Sequence, residues 1–229
     1  MKNKIILLFI LILNCSLIHC QVVTEKSEIS TDSLYKPNYP EGIYRTKEDF
    51  IKKIPFQRTT VVPKGLIGLT KPTLNTIVHN CFFYYSFSDE KIQDVFAISY
   101  KGHLYFQISA ILKNRNKTDR AQSNNFPNSF VRVILGGNNY LYTEAELSNA
   151  WAQGIAYGGI GGAVGGALAN KWVYGKGLVW DFKNNEFNIF KNCEDYNEFI
   201  KDKNNDGIQT CKENQADVFR IRKDIEKIK

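Results

Sequence analysis

The sequence lacks the short motifs that mark the common classes of enzyme. It has no P-loop, no G-x-S-x-G, no H-E-x-x-H and no C-x-x-C, so nothing indicates nucleotide hydrolysis, serine hydrolysis or zinc proteolysis. Histidine is scarce, because His19, His79 and His103 are the only three in the chain. Histidine is the side chain used most often for proton transfer near neutral pH. We therefore expect a protein that is not an enzyme.

A long apolar run is absent as well. Residues 5–13 form an unbroken apolar run of nine residues, whereas a membrane-spanning helix needs about 20. The run follows Lys2 and Lys4, and a basic region before a short apolar region is typical of a secretory signal peptide. We predict that residues 1–20 are a signal peptide.

The end of this signal allows two interpretations. Ile18-His19-Cys20 before Gln21 resembles a signal-peptidase site, with a β-branched residue at position −3 and a small residue at −1. Alternatively Cys20, or Cys15, is the lipidated residue of a lipobox, although the small residue that usually precedes a lipidated cysteine is here His19 or Asn14. Both interpretations place the protein in the periplasm or on the outer-membrane surface of a Gram-negative bacterium. Loss of Lys2 and Lys4 would lower the formal charge from +7 to +5, and export argues against a nucleic-acid partner.

The composition excludes a disordered chain, because 43% of the residues are hydrophobic and 13% are aromatic. Runs rich in Val, Ile, Phe and Tyr predict strands, and amphipathic segments predict helices. Thr46-Lys47-Glu48-Asp49 has the pattern of a helix capping box, and Pro55 is expected to end that helix. The predicted strands are 77–87, 95–100, 103–108, 130–135, 140–144, 177–182 and 187–190; the further predicted helices are 109–116, 192–201 and 214–228.

These elements predict an α+β fold, in which an antiparallel sheet of short strands has helices at both ends. The polar residues 21–39 are predicted to form a flexible tether. Residues 40–229 are predicted to form a single α+β domain that contains a glycine-zipper insert, either helix or loop, at residues 147–170.

Three cysteines remain once residues 1–20 are removed. Cys193 and Cys211 lie 18 residues apart, and an oxidising compartment permits a disulfide between them. Such a bridge would contribute about 3 kcal/mol through loop entropy. Cys81 would then be unpaired, and the apolar run that follows it favours a buried structural thiol. A Cys81 nucleophile assisted by His79 or His103 is the alternative, although no orienting acid lies at a recognisable spacing.

The uncharged segment 147–170 is the strongest lead to function. Gly154, Gly158, Gly162 and Gly166 recur at every fourth residue, which on a helix gives a face almost without side chains. That face permits the close helix packing found in membranes. Each glycine in a helix costs about 1 kcal/mol relative to alanine, so the alternatives are a helical hairpin packed on the sheet and a flexible glycine-rich loop. We predict that the segment contacts membrane lipid or mediates self-association.

A second pattern resembles a calcium-binding loop. Asp202, Asn204, Asp206 and Glu213 have the spacing D-x-[DN]-x-[DN]-G-x5-E, and their oxygen atoms suit Ca²⁺. The pattern departs from an EF-hand at Gln209, where an apolar residue is usual. An Asn-Asp-Gly turn between two helices explains the same residues without a metal. A small calcium-stabilised extracellular module is therefore the alternative function, and the sequence indicates no other cofactor.

The start of the predicted domain, Pro40-Glu41-Gly42-Ile43-Tyr44-x-Thr46-Lys47-Glu48-Asp49-Phe50, resembles a family of exported Bacteroidetes-type proteins of unknown function. The strands at 95–99 and 104–106 and the glycine-rich run before an Asp-Phe-x-Asn-Asn hairpin fit its layout. The resemblance covers most of residues 40–229 and implies a cell-envelope location, with no activity and no site residues.

The sequence thus predicts an exported, non-enzymatic binding or scaffold protein. Its expected partners are membrane lipid or a second copy of itself. It indicates no small-molecule substrate.

Overall fold

A computed structural model of the chain describes residues 34–66, 77–117, 122–149, 175–211 and 216–229. The strands in these ranges are short. They are β1 (Gly42–Tyr44), β2 (Val61–Lys64), β3 (Asn80–Tyr85), β4 (Ala97–Tyr100), β5 (His103–Gln107), β6 (Gln122–Ser123), β7 (Phe130–Arg132), β8 (Leu135–Gly136), β9 (Tyr140–Ala145), β10 (Ser148–Asn149), β11 (Lys176–Asp181) and β12 (Glu186–Ile189). The helices are α1 (Lys47–Ile51), α2 (Ile108–Lys113), α3 (Cys193–Ile200) and α4 (Val218–Ile228), with a 3-10 turn at Asn205–Gly207.

Six strands form the larger sheet, in the order β1-β4-β5-β7-β3-β2. Every pairing in it is antiparallel. The two edges of this sheet approach each other through Gln57, which precedes β2. Its backbone exchanges two hydrogen bonds with Ile43 of β1, at N···O distances of 2.8 and 3.3 Å. The sheet therefore curls back on itself, and Gln57 covers the free edge of β1.

A four-stranded antiparallel sheet has the order β12-β11-β9-β8, and β6 and β10 form a separate pair. Residues alternate between the two faces of this sheet. Leu178 and Trp180 pack toward the larger sheet, whereas Val179 packs against α3 and α4. Antiparallel sheets combined with separate helices confirm the predicted α+β class.

The core between the two sheets is mainly aromatic, and Phe50 of α1 lies at its centre. The Phe50 ring is fully buried, and its centroid lies 5.0 Å from that of Phe96, 5.3 Å from that of Phe106 and 5.5 Å from that of Trp180. The capping box predicted for this helix is present, because the side chains of Thr46 and Asp49 each bond the backbone N–H of the other. The cap fixes the start of α1 and so places Phe50 between the sheets.

The folded unit begins before the end of the predicted tether. It starts at Leu34, and Tyr39 is buried with its ring stacked on Phe50 at a centroid distance of 4.8 Å. Aromatic stacking against a core residue orders a segment that has the polar composition of a linker.

Several predictions fall wholly or partly outside the described residues. These are the signal peptide at 1–20, lipidation at Cys20 and most of the glycine-rich segment. At the start of that segment, Leu147 is buried in the core and β10 pairs with β6. Residues 150–170, with Gly154, Gly158, Gly162 and Gly166, are not described. No helix within the described ranges is both long and apolar enough to cross a membrane.

Candidate functional site

A cavity of about 340 Å³ lies where the start of α1 meets β5 and α2. Its walls come from three stretches of chain. They are Arg45, Thr46, Lys47 and Glu48 around the start of α1; Asp94, Val95 and Phe96 before β4; and Gln107, Ser109, Ala110, Lys113 and Asn114 around α2. Most of these side chains are polar or charged, and the apolar ones are Val95, Phe96 and Ala110. Small molecules bind in concave sites, and this lining suits a polar ligand.

Gln107 is the distinctive residue of this cavity. It is fully buried, and its side-chain oxygen accepts hydrogen bonds from the Val95 N–H at 3.1 Å and the Ser109 hydroxyl at 2.8 Å. The Val95 N–H can only donate, so it fixes which end of the amide is oxygen. No described residue accepts a hydrogen bond from the Gln107 Nε2. A buried donor without an acceptor costs about 1–3 kcal/mol, so an acceptor that reached this nitrogen from the cavity would recover that cost.

The rim of the cavity carries charges of both signs. Arg45 is exposed, with its guanidinium carbon 5.3 Å from the Phe56 ring centroid. Lys113 pairs with Asp94 at 3.5 Å, and both side chains are largely exposed. An exposed pair of this kind contributes little to stability, so these side chains remain free to rearrange around a ligand.

The hypothesis of a Cys81 nucleophile finds no support in the geometry. Cys81 is fully buried, and burial raises the pKa of its thiol well above the ordinary value. His79 donates from Nε2 to the Glu144 carbonyl at 3.0 Å, and His103 donates from Nδ1 to the Tyr35 carbonyl at 3.3 Å. A buried thiol without an activating group is chemically inert. The preferred interpretation of Cys81, a structural thiol, matches this environment.

The other predicted residues lie around α3. The sulfur atoms of Cys193 and Cys211 are at bonding distance, 2.01 Å, with their Cα atoms 5.5 Å apart. Whether the bond is formed stays a prediction that a mass measurement tests.

The predicted calcium ligands are only partly brought together. Asp202 and Asp206 are exposed, and Asn204 donates from Nδ2 to the buried Asp224 at 3.2 Å. Glu213 lies outside the described residues. Among those that are described, no group of three or more His, Cys, Asp or Glu side chains is placed to share a metal ion. The calcium site stays a prediction.

Sequence reasoning missed the cavity and Gln107. The sequence signal was a polar residue in the apolar stretch His103-Leu104-Tyr105-Phe106-Gln107, in which the structure buries every residue. A search of protein-family models, curated proteins and solved structures finds no significant match to this chain. The resemblance to exported Bacteroidetes-type proteins therefore stays a prediction.

Proposed function

We propose that this chain is an exported, non-enzymatic binding protein of the cell envelope, and that the cavity beside α1 takes a small polar ligand. The observation that carries the proposal is the unpartnered Nε2 of Gln107 in the cavity wall. A ligand with a carbonyl, carboxylate or hydroxyl oxygen would satisfy this donor. The mixed charges of the rim favour a polar ligand over an apolar one.

The test is an NMR titration of the ¹⁵N-labelled protein with acetate, N-methylacetamide and glucose, which present the three kinds of acceptor. We expect at least one probe to shift the side-chain NH2 signal of Gln107. The exposed Gln93 bonds only Asn128 among the described residues and is the matched control, because its signal should stay in place. If no probe moves the Gln107 signal, the cavity is not a site for these acceptors.

A variant of Gln107 tests whether its side-chain donor is needed for binding. Gln107→Glu keeps an oxygen facing the Val95 N–H and replaces the donor with a second oxygen. The backbone amide signals of Ser109 and Lys47, which line the cavity from different stretches of the chain, should then lose any response to acetate. An unchanged acetate response would assign binding to another part of the protein.

The envelope location and the glycine-rich segment complete the proposal. Intact-mass measurement after expression in a Gram-negative host distinguishes cleavage after Cys20 from lipidation of Cys20. Deletion of residues 154–167 should release the protein from the membrane fraction, and an unchanged distribution would contradict membrane contact. Gly158→Leu with Gly162→Leu raises hydropathy but fills the small face, so it should abolish self-association while leaving simple lipid contact intact.

A further inference from the structure

Arg132 on β7 carries a buried guanidinium that has no counter-charge among the residues the structure describes. The residue is only 9% exposed, and its Nε and Nη1 atoms are buried without a described hydrogen-bond partner. Burial lowers the pKa of this side chain, and the only group that acts in the opposite direction is the phenol of Tyr105. No described carboxylate forms an ion pair with it.

The sheet register places three polar side chains around Arg132. Arg132 lies directly opposite Tyr105 of β5, and its backbone N–H donates to the carbonyl of His79 at 2.9 Å. Directly opposed residues on antiparallel strands share one face of the sheet, with Cβ atoms about 5 Å apart. His103 is two residues before Tyr105 and so has the same orientation in β5. Burial lowers the pKa of both imidazoles, and the charge of Arg132 acts in the same direction.

The carboxylate of Glu144, which adjoins this region, already pairs with another arginine, Arg222. Glu144, whose backbone carbonyl bonds His79, accepts two hydrogen bonds from the guanidinium of Arg222, each at 2.7 Å. The Tyr142 hydroxyl donates to the same carboxylate at 2.8 Å. Arg222 and Arg132 therefore differ although both adjoin β9. Arg222 has a bidentate partner, whereas the hydrogen bond described between Arg132 and β9 is one that its backbone carbonyl accepts from the Thr143 hydroxyl at 2.6 Å.

An unpaired buried guanidinium is costly, because the effective penalty of desolvating an ion in a protein is several kcal/mol. A planar guanidinium matches carboxylate and phosphate groups in a bidentate geometry. We propose that Arg132 binds an oxyanion, the carboxylate or phosphate group of a small ligand, at the end of the curled sheet beside His79, Tyr105 and His103. Arg132 does not line the cavity beside α1, so this site is separate from the one at Gln107.

The proposal makes a prediction that a structural role for Arg132 would not make. Arg132→Met keeps the length of the aliphatic chain and removes the unpaired charge, so the variant should unfold at a higher temperature than the wild type in sodium chloride. It should also lose the response to oxyanions. An arginine that held the fold together through a carboxylate of this chain would show the reverse, a marked drop in the unfolding temperature.

The experiment compares thermal unfolding in sodium phosphate, sodium acetate and sodium chloride at equal ionic strength. Above its Kd, the preferred anion should raise the wild-type midpoint by about 3–5 °C for each tenfold increase in concentration. Arg132→Met should show only the small general salt effect. Arg58→Met removes an exposed guanidinium and is the control that should respond like the wild type. A response to phosphate alone or to acetate alone identifies the oxyanion.

Three outcomes overturn the proposal: no specific response in the wild type, an equal response in Arg132→Met, or a destabilised Arg132→Met in chloride. If Arg132→Met does not fold, the NMR signal of the Arg132 Nε–H in the wild type decides the question. A saturable shift of that signal with inorganic phosphate or acetate supports the site, and a signal that does not move refutes it.

Discussion

Breaking the predicted Cys193–Cys211 bridge should lower stability by about 3 kcal/mol. This magnitude follows from the 18-residue separation of the two cysteines and the loss of loop-closure entropy that a bridge imposes on the unfolded chain. The native loop has other restraints, because the Asn197 side chain exchanges two hydrogen bonds, each 2.8 Å long, with the backbone of Gln209. Gln209 in turn bonds the backbone of Asp217 just before α4. Since none of these contacts is made by the bridge itself, we expect them to persist after reduction, and the effect should arise mainly in the unfolded state.

The measurement is urea unfolding of the wild type with and without a reductant, followed by tryptophan fluorescence. At a typical slope of about 2–3 kcal/mol per M, the midpoint should fall by about 1 M. The variant Cys193→Ala with Cys211→Ala should match the reduced wild type and should not respond to reductant, which makes it the control for side effects on Cys81. Coincident midpoints for the oxidised and reduced wild type would refute the reasoning, as would an intact mass that retains both thiol hydrogens.

Two further predictions concern calcium and pH. If the loop at Asp202 binds Ca²⁺, calcium at 100 times its Kd should stabilise the protein by about 2.7 kcal/mol. Thermal unfolding midpoints in calcium and in chelator should then differ for the wild type and coincide for the double variant Asp202→Asn with Asp206→Asn. Identical wild-type midpoints would exclude the site. Burial lowers the pKa of both His79 and His103, so below about pH 6.5 the unfolded chain takes up protons that the folded protein does not. Stability should therefore fall from pH 7.5 to 5.5, by at most about 1.4 kcal/mol per pH unit for each histidine. The urea midpoint measures this fall, His103→Gln should reduce it, and a flat wild-type profile would contradict the assignment.

Local features of the fold could be predicted from the sequence because neighbouring residues determine them. The capping box needs only Thr46 and Asp49, which are three residues apart. The β4–β5 hairpin needs a two-residue turn with positive φ, and Lys101 and Gly102 provide it at φ 50° and 75°. Short strands with such turns between them were sufficient to indicate an antiparallel α+β fold.

Long-range features could not be predicted in the same way. The pairing of β7 with both β5 and β3 joins stretches that are far apart in sequence, and no local pattern specifies that order. Tyr39 belongs to a polar stretch by composition, yet its ring stacks on Phe50. Gln107 gave only a weak signal, since its importance depends on which neighbours reach its two amide atoms. Arg132 gave a clearer one, as a charge inside the apolar run Phe130-Val131-Arg132-Val133.

The position of Phe50 has a consequence for how the protein unfolds. Helix α1 has five residues, too few to be stable alone, so its order depends on its capping box and on the burial of the Phe50 ring. The same ring contacts Phe106 in the larger sheet and Trp180 in the smaller one. If either sheet separated from the core, aromatic side chains of the other sheet would become exposed to water. The two sheets should therefore unfold as one cooperative unit. Amide hydrogens in β5 and β11 should therefore exchange with the same free energy of opening, and a ligand bound beside α1 would protect both sheets together.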